Sequence, residues 1–214
     1  MNGLPVRVTS RSKWPVVIAV DTGRSMREWS QPVLKAVMKC LPRLLEAGCE
    51  VSICGIGDYR CHLLQVSEFH NDHDRAAQSI HDVHVCGLDK SFEIAMYYYA
   101  RHCRVAPGRK GAFLMFGNGV HRDAISCRHV RDHLGDDLRT HLYTERILRD
   151  LRARFHVCMN YIVRNVYDME SAEWEAVLGK PNVVEIRDVR GLVDVILCQV
   201  GRIRKCASAG AARS

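Results

Sequence analysis

The sequence has no long hydrophobic segment and no recognisable export signal. None of its apolar runs approaches the roughly 20 residues that a helix needs to cross a bilayer. The first residues lack a basic region followed by an apolar one, which is the pattern of a secretory signal peptide. These absences argue against a membrane-spanning protein and against a membrane partner, and a cytoplasmic location is expected.

Aromatic residues are also scarce, at 7% of the chain. The formal net charge is +7, and a balance of this sign permits contact with nucleic acid or with acidic proteins. However, the sequence contains no basic stripe interleaved with aromatic residues, a pattern that would indicate a nucleic-acid-binding surface. Nucleic acid is therefore a permitted partner, but the sequence does not indicate it.

Paired cysteine spacing is absent. The chain contains ten cysteines, yet no two of them form a C-x-x-C pair, and several lie inside apolar segments. Scattered cysteines in a chain of this size are typical of reduced, buried thiols rather than of a disulfide framework. We therefore expect free cysteines.

The most informative stretch is the apolar run Val16–Val20, which is followed by Asp21 and a turn of small residues. Five consecutive apolar, mostly β-branched residues are typical of a parallel strand buried on both faces. Ligands of open α/β sheets bind at the carboxyl ends of such strands, because the loops leaving neighbouring strands meet there. Asp21 is therefore the first candidate functional residue, although an aspartate at this position could also simply cap the turn.

Predicted strands and helices alternate along the chain, which favours a mostly parallel sheet covered on both faces. Strands are predicted over residues 16–20, 50–57, 63–69, 112–116, 157–163 and 183–186. Helices are predicted over residues 31–48, 72–83, 89–102, 122–135, 137–155, 172–178 and 192–203. Pro42 falls inside the first helix and predicts a kink or an early end. The expected fold class is a Rossmann-like α/β three-layer sandwich with one short antiparallel edge strand.

The length suits a single α/β domain. We expect this domain to span residues 14–205, after a lead-in over residues 1–13 and before a flexible tail over residues 206–214. The tail is rich in Ala, Ser and Gly and has little to bury.

Four segments resemble the von Willebrand factor type A (vWA) family, in particular its bacterial-type intracellular branch. The run Asp21-Thr-Gly-Arg-Ser-Met is similar to the family's opening motif, and Gly57-Asp-Tyr-Arg follows the second predicted strand. Two more matches are Ser91-Phe-Glu-Ile-Ala-Met-Tyr-Tyr-Tyr-Ala-Arg-His and Gly108-Arg-Lys-Gly-Ala-Phe-Leu-Met-Phe-Gly-Asn. The order and spacing of the four motifs carry the resemblance over residues 14–203.

The resemblance implies a metal-ion-dependent adhesion site (MIDAS) at the carboxyl edge of the sheet, but the motif departs from the family pattern. Gly23 replaces a hydroxyl residue, Asn118 replaces a second acidic residue, and Asp89 or Ser91 stands in for a threonine. Oxygen ligands of this kind suit Mg²⁺ or Mn²⁺, and the loss of charge predicts weak binding. The candidate metal residues are Asp21, Gly23, Ser25, Asn118, Asp89 and Asp58.

The resemblance implies a non-enzymatic protein-binding module in which the metal accepts a carboxylate from a protein partner. An AAA+ ATPase is the partner class that the bacterial branch suggests, by analogy alone. Two alternatives remain. One is a metal-dependent phosphoesterase-like hydrolase with Asp58 as its general base, and the other is a metal-free vWA scaffold, which Gly23 and Asn118 favour.

Overall fold

The central feature of the computed structural model is a six-stranded sheet. The structure describes residues 7–57, 64–85, 90–164 and 170–211, with the backbone alone for 206–211. The strands of the central sheet are β2 (Trp14–Asp21), β3 (Cys49–Ile56), β4 (Leu64–Val66), β6 (Gly111–Gly117), β9 (Phe155–Ile162) and β10 (Val183–Ile186). Short strand pairs outside it are β1 (Val8–Thr9) with β5 (Cys103–Arg104) and β7 (Ala124–Ile125) with β8 (Leu142–Tyr143).

The strand order is β10-β9-β6-β2-β3-β4, and only the edge strand β4 runs antiparallel to its neighbour. The apolar run of β2 lies between β3 and β6, with Val16 opposite Val51 on one side and Ala112 on the other. Because β2 and β6 are parallel neighbours, the segments that follow these two strands leave the sheet at the same edge. This arrangement brings the segments that begin at Asp21 and Asn118 together.

Helices cover both faces of the sheet, as predicted. Their bounds are α1 (Arg27–Glu46), α2 (His73–His81), α3 (Phe92–His102), α4 (Cys127–Leu134), α5 (Thr144–Arg152), α6 (Ser171–Leu178) and α7 (Leu192–Ala211). Buried residues of α1, α2 and α7 pack on one face, while those of α3, α4, α5 and α6 pack on the other. Among the helices of the described residues, none is both long enough and apolar enough to span a membrane.

Two details of the predicted elements differ from the structure. Pro42 does not bring α1 to an early end, because the helix continues to Glu46. The sheet-facing Leu41 and Leu44 are buried on either side of the exposed proline, so packing offsets the lost backbone hydrogen bond.

The second difference concerns residues 122–155, where two consecutive helices were expected. The antiparallel strands β7 and β8 occupy part of this segment, and α4 lies between them along the chain. Helix α5 begins only at Thr144. Helical spacing of apolar residues continues through β8, but the Thr144 hydroxyl donates to the Arg122 carbonyl and its backbone N–H donates to the Asp123 carbonyl. These long-range bonds fix the strand pair.

The lead-in predicted for residues 1–13 contains β1, whose Val8 is fully buried. After β1, the Ser10 hydroxyl donates a hydrogen bond of 2.6 Å to the Glu50 carboxylate in β3, and the Arg11 backbone N–H donates one of 2.9 Å to the same carboxylate. Residues 8–11 therefore pack against the domain at the amino end of β3.

Seven cysteines lie in the described part of the chain, and all seven are free, as predicted. Burial raises the pKa of the Cys40 and Cys49 thiols to about 11, so these side chains are neutral packing groups at physiological pH. Cys61 and Cys86, and the side chain of Cys206, lie outside the described residues.

Candidate functional site

Asp21 ends β2 as a fully buried carboxylate. One carboxylate oxygen, Oδ1, accepts a hydrogen bond of 2.7 Å from the backbone N–H of Gly23. The chain then enters a short 3₁₀ turn over Arg24–Met26 and continues into α1. Gly23 therefore contributes a backbone donor to Asp21, at the position where the family motif has a hydroxyl oxygen.

Asn118 follows β6 and is 1% exposed. Its side-chain oxygen accepts a hydrogen bond of 2.9 Å from the Ser25 hydroxyl. This bond joins the two loops that leave β2 and β6. The carboxyl edge therefore holds the oxygens of Asp21, Ser25 and Asn118 close together, as the sequence pattern indicates.

The group at the centre of these oxygens is the ammonium of Lys90. Its Nζ lies 3.1 Å from Asp21 Oδ2 and 3.3 Å from Ser25 Oγ, and it also donates to Asn118 Oδ1. The Lys90 side chain is only 17% exposed. Lys90 lies two residues before α3, so the segment that leads into this helix supplies the cation, while the end of β2 and the segments that follow β2 and β6 supply the oxygens.

Burial is the main influence on the charge of Asp21. It raises the pKa of the Asp21 carboxyl, and the positive charge of Lys90 and the Gly23 backbone N–H oppose that rise. Among the buried side-chain oxygens and nitrogens of the described residues, Asp21 Oδ2 alone has no well-aligned hydrogen bond. Its contact with the ammonium is therefore an ion pair without good hydrogen-bond alignment.

Two glycines shape the space around the ion pair. A Cβ atom on Gly117 would lie 2.8 Å from the Asp21 Cβ and 2.6 Å from the Phe92 ring. A Cβ on Gly119 would lie 2.9 Å from Lys90 Cε, and Gly119 has a φ of +84°, which favours glycine. The segment 117–119 therefore approaches Asp21 and Lys90 more closely than larger residues would allow.

Trp174 contacts this segment through a hydrogen bond to Gly119. The indole is fully buried, and its N–H donates a 2.9 Å hydrogen bond to the Gly119 carbonyl. Its ring meets the edge of Phe92 with the two centroids 5.3 Å apart. Helix α6 thus holds both the loop after β6 and the first turn of α3.

An open cavity of about 460 Å³ has Ser25 in its lining. Its polar lining consists mainly of arginines, which are Arg24, Arg27, Arg164 and Arg187, and one acidic residue, Glu28, also faces it. We call this feature the arginine cavity. Because guanidinium groups bind planar oxyanions through two N–H groups at once, such a lining favours a carboxylate or another oxyanion.

The structure describes four of the six candidate metal residues. Asp21, Gly23, Ser25 and Asn118 come together, whereas Asp58 and Asp89 lie outside the described residues. Within the described part of the chain, no group of three or more His, Cys, Asp or Glu residues is arranged to hold a metal ion. The sequence analysis did not identify Lys90 as part of the site. The loss of an acidic ligand at position 118 and of a hydroxyl ligand at position 23 was the available signal, because a site with less negative charge can be balanced by a monovalent cation.

Glu93, in the first turn of α3, is a second buried carboxylate near this edge, and it is 1% exposed. It accepts hydrogen bonds from the backbone N–H of Arg122 at 2.7 Å and from the Ser91 hydroxyl at 3.0 Å. Burial raises its pKa above the ordinary value of 4.5, while these donors act in the opposite direction. Glu93 therefore ties the loop after β6 to the start of α3 at an electrostatic cost.

Glu93→Gln is expected to flatten the pH dependence of stability. Because the pKa of Glu93 is higher in the folded state than in the unfolded chain, the folded state binds more protons in the window above pH 4.5. Stability should therefore fall as the pH rises through that window, and less steeply in the variant. Urea unfolding between pH 4 and pH 8 measures this, with exposed Glu46→Gln as the control. Parallel profiles for the wild type and Glu93→Gln would contradict the expectation.

Solved structures with a similar fold are known, although sequence comparisons found no match. No protein-family model and no curated protein sequence matches the chain. The pilus adhesin SpaC of Lactobacillus rhamnosus GG superposes with a TM-score of 0.65 at 11% identity, over 94% of this chain and 30% of the adhesin. A von Willebrand factor type A protein of Catenulispora acidiphila superposes with a TM-score of 0.58 at 14% identity, over 90% of this chain and 43% of that one.

A third similar structure is mussel byssus proximal thread matrix protein 1 with a zinc-occupied MIDAS motif. It superposes with a TM-score of 0.60 at 9% identity, over 91% of this chain and 48% of that protein. The chain thus spans less than half the length of each of these three proteins. At such identities the similarity establishes architecture and not activity. The chain has the fold of a von Willebrand factor type A domain.

Proposed function

We propose that this protein is a non-enzymatic protein-binding module of vWA type and that the carboxyl edge of its sheet is the binding face. The single observation that carries the proposal is the arginine cavity, which opens at this edge beside Ser25. The fold is consistent with the proposal, because loops from several parallel strands meet at this edge and form a surface supported by a rigid sheet.

The arginine cavity favours an acidic segment of a protein partner. Arg24 and Arg27 are exposed, and no described residue forms an ion pair with either of them. Arg187 pairs with Glu185 at 2.7 Å, and Glu28 adds one negative charge to the lining. The net positive charge of the chain would assist the approach of an acidic partner.

The predicted Mg²⁺ or Mn²⁺ would be held by Asp21, Ser25 and Asn118, and a bound divalent ion would supply a positive centre for a partner carboxylate. As these residues stand, however, they surround the Lys90 ammonium and include a single carboxylate. These oxygen ligands, with one negative charge among them, fit a monovalent cation better than a divalent one. We therefore propose that the arginines, rather than a metal, meet the acidic group of the partner.

The nature and location of the partner rest on the family resemblance. An AAA+ ATPase is proposed as the partner class and the cytoplasm as the compartment. The alternative function, a metal-dependent phosphoesterase, depends on Asp58, which lies outside the described residues. Metal-stimulated hydrolysis of a phosphate ester that Asp21→Asn abolishes would favour that alternative.

Removing two of the four arginines of the arginine cavity is expected to weaken partner binding by about tenfold or more, equivalent to about 1.4 kcal/mol. The variant is Arg24→Gln/Arg27→Gln. The matched control is Arg43→Gln/Arg109→Gln, which removes the same charge from exposed residues near the amino ends of β3 and β6. The first variant should lose affinity because it removes two guanidinium donors from the binding face.

The partner is first identified with a photo-cross-linking amino acid placed at Glu28 and, as a control, at Arg109, in extracts of the source organism. A partner cross-linked from Glu28 alone is then purified, and its affinity is measured by calorimetry at several salt concentrations. Cross-linking mainly from Arg109 would contradict the proposed face. Equal affinities of the two double variants would contradict the role of the arginines.

A further inference from the structure

We infer that the Lys90 ammonium is a built-in substitute for the divalent cation, so that the carboxyl edge keeps its arrangement without a metal. This inference goes beyond the proposed binding function and needs no partner. It rests on the contacts, charge and space around Lys90 Nζ.

The contacts of Lys90 Nζ, one ion pair and two hydrogen bonds, support the inference first. A lysine ammonium carries three N–H donors and no acceptor. Around Nζ the structure places three oxygens, namely the ion-paired Asp21 Oδ2 at 3.1 Å and the hydrogen-bond acceptors Ser25 Oγ, at 3.3 Å, and Asn118 Oδ1. Thus the side-chain oxygens of Asp21, Ser25 and Asn118, three of the candidate metal residues, contact one intramolecular cation.

The second support is charge balance. Asp21 supplies one negative charge, and Asn118 contributes a neutral amide oxygen where the family pattern has an acidic residue. A single ammonium neutralises this set, whereas a divalent ion would leave one excess positive charge in a buried position. The two departures from the family motif, Gly23 and Asn118, therefore reduce the number of oxygen ligands and the negative charge of the site. A lysine ammonium can satisfy and neutralise the groups that are left.

The third support is the space around the lysine stem. Gly119 leaves room for Lys90 Cε, because a Cβ at that position would lie only 2.9 Å away. The ammonium also lies over the Phe92 ring, 6.0 Å from its centroid. Since Mg²⁺ requires oxygen ligands at about 2.0–2.1 Å, it could not bind the same oxygens until the ammonium left.

Thermal melting in a titration of Mg²⁺ or Mn²⁺ tests the inference. The wild type, Asn118→Asp and the surface control Lys39→Met are expected to show no metal-dependent shift. Lys90→Met/Asn118→Asp removes the internal cation and restores a second carboxylate. Its Tm should rise with the logarithm of the metal concentration above Kd, by about 5–10 °C when the metal is at a hundred times Kd. The same concentration-dependent rise in the wild type, or none in the folded double variant, would overturn the inference.

A labelling measurement on the wild-type protein keeps the test decisive if the double variant does not fold. Acetic anhydride should acetylate Lys90 at least tenfold more slowly than exposed Lys39, because the Lys90 ammonium is buried and ion-paired. Asp21→Asn should speed the acetylation of Lys90 and leave that of Lys39 unchanged. Equal rates at the two lysines of the wild type, or a Lys90 rate insensitive to Asp21→Asn, would refute the ion pair and the inference with it.

Discussion

Replacing Lys90 with methionine is expected to lower the free energy of unfolding by about 3 kcal/mol at pH 7. The Asp21 carboxylate is fully buried, and the Lys90 ammonium is the cation that contacts its Oδ2. Removing one partner of a buried ion pair leaves the other charge without compensation, which costs far more than the net value of the pair itself. Urea unfolding followed by circular dichroism measures the loss.

A second variant separates this electrostatic cost from a loss of packing. Lys90→Met/Asp21→Asn removes both charges and retains an oxygen that can accept the hydrogen bond from Gly23, so it should recover most of the lost stability. Lys39→Met, at an exposed position of α1, should change stability by no more than about 0.5 kcal/mol. A double variant no more stable than Lys90→Met would show that the charge of Asp21 is not the cause.

The pH dependence gives an independent check on the same variant. Burial already raises the pKa of Asp21, and the Lys90 ammonium opposes that rise. Without Lys90 the pKa should rise further. The variant should therefore be least impaired at low pH, where Asp21 is protonated, and lose stability relative to the wild type as the pH rises through the folded-state pKa of Asp21.

The fold was predictable because its strands carry a local signal. Runs such as Val16–Val20 and Ala112–Phe116 are buried on both faces, and continuous apolar sequence of this kind is typical of parallel strands. The edge strand β4 was also predicted, since Leu64–Val66 is too close along the chain to β3 for a parallel crossover. The segment 122–155 was not predictable in detail, because long-range hydrogen bonds of Thr144 fix it.

The candidate site was predictable only in part. Asp21 and Asn118 each follow a buried strand, and parallel neighbours place such residues at one edge. Lys90 carries no comparable signal. A lysine ahead of a helix is usually solvated, and only the fold shows that its stem passes Gly119 and reaches Asp21. Whether the oxygens of this site ever hold a metal stays a prediction.

Trp174→Ala is expected to lower the free energy of unfolding by about 3–5 kcal/mol. The indole is fully buried, packs on Phe92 and donates to the Gly119 carbonyl. Trp174→Phe keeps most of the volume and loses mainly the N–H donor, so it should cost only about 1–2 kcal/mol.

Because Phe92 and Gly119 both flank Lys90, loosening them should also expose the ammonium. Acetylation of Lys90 should therefore accelerate in Trp174→Phe, whereas Trp14→Phe, a change at the amino end of β2, should leave the rate unchanged. Urea unfolding by circular dichroism and the labelling rate are measured on the same samples. An unchanged Lys90 rate in a clearly destabilised Trp174→Phe protein would mean that α6 stabilises the core without positioning the site.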